Sequence, residues 1–252
     1  MFPSGVDPRP PYTPPLWPSP WGTSPGRCPL HSWDALGSYE RSSPQRPVGL
    51  LRAIQGFGNV GGHTAQFLYE TGMKVVAVND MRGGIHDSKG LPIDKVLEHC
   101  KKAGTVAGFS DAEPIDNVAL LALECDYLVP AALGGVIHRR NAAQVRAKVI
   151  AEAANAPLTE PANQILCKRG VIVLPGILVG AGGVTVSYFE SVQNLQHFRW
   201  TLKDVEQRLR DKLQEACRAV FELAKDGRCS YRLSAYQIAT RRLKESFFAA
   251  GI

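Results

Sequence analysis

Residues 51–61 read LRAIQGFGNVG, an apolar run that leads into a glycine-rich turn and then into a helical pattern. Each glycine has its own role: Gly56 permits a tight turn, Gly58 lets the backbone approach a pyrophosphate, and Gly61 lets a helix pack closely on the strand. The unpaired N–H groups at the start of that helix favour an anion. The stretch therefore predicts a strand, a phosphate-binding turn and a helix.

A second apolar run, Lys74–Asn79, ends at Asp80, nineteen residues after Gly61. This spacing is close to that of the acid that binds the adenosine ribose in dinucleotide-binding folds. A carboxylate there accepts hydrogen bonds from both ribose hydroxyls and repels a 2′-phosphate, so the sequence favours NAD over NADP. Arg82 is close enough to neutralise a phosphate, which leaves NADP open. The alternative is that Asp80 only caps the turn Met81–Gly84.

The rest of the chain alternates short β-branched runs with longer amphipathic stretches, which is typical of an α/β fold. Strands are predicted at Leu50–Gln55, Lys74–Asn79, Tyr127–Pro130, Val149–Glu152 and Val171–Leu174. Helices are predicted at Val60–Thr71, Ile93–Ala103, Asn141–Ala147, Pro161–Arg169, Val184–His197, Leu202–Lys225 and Arg232–Ala250. We therefore assign residues 48–252 to one Rossmann-like domain, a doubly wound, mostly parallel sheet with a C-terminal helical segment.

Residues 1–47 differ sharply in composition from the remainder. They hold twelve of the eighteen prolines and three of the four tryptophans, without the apolar periodicity of a core-forming element. Because proline has no backbone N–H, its repetition prevents both helices and sheet ladders. This segment is predicted to be a disordered leader. A polyproline ligand for a recognition domain, or sequence foreign to the fold, are the open alternatives.

Charge and cysteine usage bound the remaining function classes. The formal charge of +6 comes from dispersed basic residues without interleaved aromatics, which argues against a nucleic-acid partner and fits either a solvated surface or a site for an anionic cofactor. The apolar runs are far shorter than the roughly 18 residues of a membrane-spanning helix. No secretory signal is recognisable, so the predicted location is the cytoplasm. The six cysteines form no C-x-x-C pair, and no metal site is expected.

Five segments narrow the fold to a family. They are Gln55–Gly61, Val75–Asp87, Asp126–Leu133, Ala151–Pro157 and Ala181–Asn194, the last reading AGGVTVSYFESVQN. Together they resemble the nucleotide-binding half of the glutamate dehydrogenases, a family that includes the leucine, phenylalanine and valine dehydrogenases. The resemblance covers roughly residues 50–252 and is collinear.

The resemblance implies reversible, NAD(P)-linked oxidative deamination of an amino acid to its 2-oxo acid, an activity of amino-acid metabolism. Matched position by position, the implied cofactor-binding residues are Gly56, Phe57, Gly58, Asn59, Val60, Gly61, Asp80, Ala131, Ala132 and Asn155. Val184 and Ser187 match positions that meet the substrate side chain. Since a hydroxyl at Ser187 can hydrogen-bond a side-chain carboxylate, glutamate is favoured over leucine or phenylalanine.

Several positions depart from the family pattern. Residues 153–156 read Ala-Ala-Asn-Ala where the family usually has Gly-Ala-Asn-Gly, which adds β-carbons where unusual backbone angles or close approach are expected. Gly176 and Gly180 replace an aspartate and an asparagine, the second of them beside the nicotinamide and substrate. Ser191 stands where a tryptophan is common.

The family's substrate-binding half, which supplies the catalytic lysine and aspartate, has no recognisable counterpart before Leu50. We therefore name no catalytic residue and expect the chain to be inactive alone, because positioning and acid–base catalysis each contribute orders of magnitude in rate. Two other hypotheses stay open. One is a non-catalytic dinucleotide-binding module that forms a homo-oligomer or associates with a full-length dehydrogenase subunit. The other is a truncated or decayed gene product.

Overall fold

The structure is a computed structural model that describes residues 50–225 and 230–251. The predicted leader at residues 1–47 lies outside the described residues, and so does the predicted interruption at Asp226–Gly227.

One seven-stranded sheet forms the centre of the described fold. Its strands are β1 (Leu51–Gln55), β2 (Lys74–Asn79), β3 (Gly84–His86), β4 (Glu113–Ile115), β5 (Tyr127–Pro130), β6 (Val149–Ala151) and β7 (Ile172–Leu174). The strand order is β4-β3-β2-β1-β5-β6-β7. The pairs that join β2, β1, β5, β6 and β7 are parallel, and the β2–β3 and β3–β4 pairs are antiparallel. The predicted α/β fold with a doubly wound, mostly parallel sheet is confirmed.

The connections and the C-terminal segment supply the helices. They are α1 (Asn59–Glu70), α2 (Ile93–Ala103), α3 (Asn117–Leu121), α4 (Glu160–Lys168), α5 (Gly176–Val179), α6 (Ala181–Gln196), α7 (Leu202–Lys225) and α8 (Tyr231–Ala249). None of these helices combines the length and apolar character needed to cross a membrane.

The helix predicted at Asn141–Ala147 is wrong, because this segment forms only a 3-10 turn at Ala142–Gln144. The Asn141 side chain accepts from the backbone N–H of His138 and donates to the carbonyl of Val136, which favours a local turn. The Arg169 guanidinium donates to the carbonyls of Ala142 and Val145, both at 2.8 Å. These carbonyls are therefore taken by a side chain 24 to 27 residues away rather than by a helix ladder.

Successive residues of the central strands point to opposite faces and divide the core into two layers. Ile54 of β1 belongs to the cluster packed under α1, α2, α7 and α8, whereas the preceding Ala53 belongs to the cluster under α3 and α4. Helix α7 buries one stripe, namely Val205, Leu209, Leu213, Cys217, Val220 and Phe221. Its amphipathic pattern therefore serves core packing.

The amino ends of three strands are joined through Asp126, the residue before β5. One carboxylate oxygen accepts from the backbone N–H of Leu51 at 2.9 Å, and the other accepts from the Lys148 ammonium at 2.7 Å. Burial by itself raises the pKa of Asp126, but these hydrogen bonds and the nearby positive charges outweigh it and hold the pKa below its usual value. The ionised carboxylate thus stabilises the junction of β1, β5 and β6.

We expect Asp126→Asn to lower the free energy of unfolding by about 1–2 kcal/mol at pH 7, since the replacement loses charged hydrogen bonds. The folded pKa lies below the unfolded value near 3.8. The contribution is therefore present above about pH 4 and is lost as the pH falls through the folded pKa. Urea unfolding of the wild-type chain and of Asp126→Asn from pH 3 to pH 7 measures the difference in unfolding free energy between them. A difference that stays constant over this range would contradict the lowered pKa of Asp126.

The matched control is Asp111→Asn. Asp111 forms a 4.0 Å ion pair with Lys95, and both side chains are more than half exposed. Exposed pairs contribute little, so this change is expected to alter stability by less than about 0.5 kcal/mol at every pH.

Candidate dinucleotide-binding site

The turn between β1 and α1 is packed too tightly for side chains at two of its glycines. Gly56 has φ +98°, and a β-carbon there would lie 2.8 Å from Cβ of Ala132. A β-carbon at Gly61 would lie 1.8 Å from the carbonyl oxygen of Gly56. By contrast, no atom lies within 4 Å of a β-carbon built on Gly58. The turn therefore has a closed inner side and an open outer side at Gly58.

The open side presents backbone N–H groups at the start of α1. Gly58 and Asn59 are exposed, Val60 is half-buried, and the helix has no side-chain cap at its N-terminus. Phe57 turns inward and packs against the core cluster that includes Ile54. Uncapped N–H groups beside open space fit a phosphate, which accepts hydrogen bonds and favours the positive end of the helix dipole.

A buried amide that the sequence reasoning missed holds this turn in place. The backbone N–H of Gly56 donates to Oδ1 of Asn79 at 2.6 Å, and Nδ2 of Asn79 donates to Oδ1 of Asn117 at 2.6 Å. Asn79 is the last residue of β2 and only 1% exposed. Its signal in the sequence is an amide at the end of an otherwise apolar strand, directly before Asp80.

Asp80 lies at the same edge of the sheet, and nearby backbone N–H groups hold its carboxylate in place. Oδ1 accepts from the backbone N–H of Arg82 at 2.8 Å, and Oδ2 accepts from that of Val106 at 2.7 Å. Burial raises the pKa of Asp80, but hydrogen bonds from the Thr105 side chain and from these N–H groups lower it more. The side chain is therefore an ionised acceptor at neutral pH.

Asp80 does cap its turn, the alternative that the sequence left open. This does not exclude a ribose, because a carboxylate has about four acceptor positions. The capping bonds instead orient the carboxylate.

The loops after β5 and β6 lie at the same carboxyl edge. The N–H of Ala131 donates to the carbonyl of Gln55 at 2.7 Å, and Ala132 adjoins Gly56. After β6, the N–H groups of Ala153 and Ala154 donate to the carbonyl of Pro130 at 3.0 and 2.8 Å. The exposed Asn155 follows directly. The predicted cofactor-binding residues are therefore gathered along one edge of the sheet.

Ala156 adopts a left-handed backbone conformation, with φ +47°. The family pattern has glycine here, and the expected unusual backbone angle is present. The carbonyl of Ala156 accepts from the N–H of Gly135 at 2.9 Å, which holds this conformation in place. A residue with a β-carbon loses roughly 1–2 kcal/mol in the left-handed conformation, so Ala156 strains the loop that carries Asn155.

The two predicted substrate-binding residues, Val184 and Ser187, lie on α6. They are one turn apart on the same face, and both are exposed. Helix α6 follows β7 and the short helix α5, so it begins near the carboxyl edge.

The described residues contain no group of three or more side chains arranged to hold a metal ion. Their cysteines, Cys100, Cys125, Cys167 and Cys217, form no disulfide bond with one another. Burial, with a smaller effect of the Asp80 carboxylate, raises the pKa of Cys100 to about 11. Burial likewise raises the pKa of Cys125 to about 12, with Asp126 adding to it. Thiols of this kind stay protonated and unreactive at neutral pH.

Comparison with known proteins identifies the family of the chain. Residues 43–251 match the model of the glutamate/leucine/phenylalanine/valine dehydrogenase family. The chain belongs to this family. It is 40% identical over 228 residues to an NAD-specific glutamate dehydrogenase of Staphylococcus aureus, an alignment that includes 89% of this chain and 55% of that protein. The predicted family is confirmed.

Solved structures of the family share the fold. A hetero-hexameric glutamate dehydrogenase from Thermus thermophilus, in a leucine-bound form, superposes with a TM-score of 0.82 at 30% identity, over 89% of this chain and 53% of that one. The glutamate dehydrogenase from Peptoniphilus asaccharolyticus gives 0.74 at 27% identity, over 90% and 54%. The chain thus spans about half the length of the curated relatives and solved structures it matches.

The two sides of the turn predict different effects of alanine. Gly61→Ala is expected to cost at least about 2 kcal/mol of stability, because its β-carbon overlaps the Gly56 carbonyl. Gly58→Ala is the matched control for folding and is expected to change stability by no more than about 1 kcal/mol. It should nevertheless weaken dinucleotide binding by filling the open side. Urea unfolding and NADH titration of both variants measure these effects. Equal losses of stability would show that the described turn is wrong.

Ala156→Gly is expected to raise the free energy of unfolding by roughly 1 kcal/mol, since glycine adopts the left-handed conformation without strain. Ala154→Gly is the matched control, because Ala154 does not have a positive φ. There glycine only increases the entropy of the unfolded chain and should destabilise by about 0.5–1 kcal/mol. Thermal and urea unfolding measure both changes, and a loss of stability in Ala156→Gly would rule out the strain.

Proposed function

We propose that this chain binds NAD as the cofactor-binding half of a glutamate dehydrogenase-type oxidoreductase. The observation that carries the proposal is the turn whose closed side excludes a β-carbon at Gly61 and whose open side exposes Gly58 and the uncapped start of α1. Ordinary packing accounts for the closed side but does not require the open one. A bound pyrophosphate accounts for both.

Each part of the edge has a role in this proposal. Residues 56–61 bind the pyrophosphate, and the oriented, ionised Asp80 binds the adenosine ribose. The loop of Ala131 and Ala132 lies along the cofactor, and Asn155 lies at its nicotinamide end. The nicotinamide supplies a hydride acceptor for the amino-acid α-carbon. The preference for NAD over NADP is supported by the Asp80 charge and by the NAD-specific relative.

The proposed substrate is an amino acid and its 2-oxo acid, with L-glutamate favoured. The exposed Ser187 hydroxyl lies one turn from Val184 on α6, where it is free to meet a side-chain carboxylate. The glutamate dehydrogenases among the relatives support this choice. The activity belongs to amino-acid metabolism, and we place it in the cytoplasm.

A second candidate, a module that assembles with itself or with a full-length dehydrogenase subunit, is favoured by exposed apolar side chains. On α6 they are Val184, Tyr188 and Leu195, and on α8 they are Leu243, Phe247 and Phe248. Each is more than half exposed, and helical spacing places the three residues of α6 near one face. Contiguous apolar surface of this kind marks interaction sites. The hexameric relative supports assembly as well.

Titration of the purified chain with NADH and NADPH, followed by nicotinamide fluorescence or calorimetry, tests the proposal. We expect saturable binding with NADH preferred. Asp80→Asn should reduce that preference by about tenfold, equivalent to about 1.4 kcal/mol, because the charge that repels a 2′-phosphate is gone.

Addition of glutamate and NAD to the same sample tests whether the chain is active alone. Binding without turnover agrees with the expectation that it is inactive alone, and glutamate-dependent NADH formation would overturn that expectation. Absence of any dinucleotide binding would contradict both candidate functions. Asp87→Asn is the matched control for the Asp80 variant, because Asp87 also caps its own turn by accepting from the N–H of Lys89.

A further inference from the structure

A buried ion pair links the C-terminal helix to the loop of Asn155. Glu152 follows β6 directly and is 1% exposed. Its Oε1 accepts from Nη2 of Arg232 at 2.6 Å. Arg232 lies in the first turn of α8, eighty residues further along the chain, with a side chain that is 20% exposed.

The second oxygen of the same carboxylate reaches the next strand connection. Oε2 of Glu152 accepts from the backbone N–H of Gly176 at 2.7 Å. Gly176 begins α5 directly after β7, and a β-carbon there would approach both Glu152 and the carbonyl oxygen of Ala154 within 3.6 Å. One carboxylate therefore fixes the ends of β6 and β7 and the start of α8 relative to one another.

This carboxylate lies three residues before Asn155 and adds a side-chain link to the backbone bonds of the same segment. Between Glu152 and Asn155, backbone bonds fix Ala153 and Ala154 to Pro130, and the strained Ala156 comes next. A dinucleotide crosses the carboxyl edge of a doubly wound sheet at its switch point, here β1. With Asp80 after β2 on one side, the other half of the cofactor must lie over β5 and β6.

We propose that Glu152 and Arg232 form a positioning pair that sets the loop at residues 153–156 for the nicotinamide half of the cofactor. Neither residue needs to touch the cofactor. Because a buried carboxylate needs its partner, removal of Arg232 leaves an uncompensated charge that pulls Glu152 toward water and away from Gly176. The loop is then free to shift, while the phosphate turn and Asp80, which depend on Asn79 and Val106, keep their contacts. The inference rests on the proposed NAD-binding function.

The test compares NADH with ADP-ribose, which lacks the nicotinamide. In Arg232→Gln, we expect the NADH dissociation constant to rise by about tenfold and that of ADP-ribose to stay nearly unchanged. Arg232→Lys keeps the positive charge and should restore part of the NADH affinity. Arg242→Gln is the matched control on the same helix, since Arg242 makes only a 3.8 Å ion pair with Glu215 between exposed side chains.

Hydrogen exchange gives a readout that does not depend on a ligand. In Arg232→Gln, the amide of Gly176 and the segment at residues 152–156 should lose protection, while the segment at residues 56–61 keeps it. The double variant Glu152→Gln/Arg232→Gln removes both charges and should bind NADH no more weakly than Arg232→Gln, because the pair acts as a unit.

Two results would overturn the positioning role alone. One is an equal loss of NADH and ADP-ribose affinity in Arg232→Gln, which indicates general destabilisation. The other is an unchanged NADH affinity. If Arg232→Gln does not fold, the same comparison is made with Arg232→Lys, where equal losses again count against the role. A wild-type chain that binds neither ligand would instead overturn the proposed function, and the positioning role with it.

Discussion

The contact between Gly61 and the carbonyl of Gly56 is the constraint on which the rest of the carboxyl edge depends. A β-carbon at position 61 would come within 1.8 Å of that oxygen, so α1 starts directly against the turn that precedes it. This closeness directs the first N–H groups of α1 outward beside Gly58. The N–H of the same Gly56 donates to the side-chain oxygen of Asn79. Backbone packing thus produces an anion-binding geometry without any charged side chain.

The sheet topology turns this local geometry into a groove. Strand β1 has β2 on one side and β5 on the other, so consecutive connections leave it in opposite directions. Loops from both directions therefore leave a crevice above β1, where doubly wound proteins bind their ligands. Asp80 lies on the β2 side, and the loop of Asn155 lies on the β6 side. The site follows from the strand order as much as from the residues in it.

Sequence reasoning succeeded where the signal is local and failed where it is not. The glycine turn and the long amphipathic helices were recognisable because their pattern is contained in one short window. Strands β3 and β4 were missed because each has only three residues and includes a glycine or a proline, whereas the equally short β6 and β7 consist of apolar, mostly β-branched residues. The segment at 141–147 was predicted as a helix because its composition permits one. The Arg169 side chain that decides otherwise lies more than twenty residues away.

The candidate site shows the same division between local and long-range signals. Its glycines and Asp80 are readable from spacing, but the groups that hold them are not, since Asn79 meets Asn117 across 38 residues and Glu152 meets Arg232 across 80. The two links also differ in kind. Neutral amides hold the glycine turn, and a buried carboxylate with one guanidinium holds the ends of β6 and β7. Loss of a neutral partner costs less than loss of a charged one. The two halves of the carboxyl edge therefore differ in how strongly the loss of a hydrogen-bond partner affects them. The half that depends on α8 is the one whose geometry a substitution far along the chain alters.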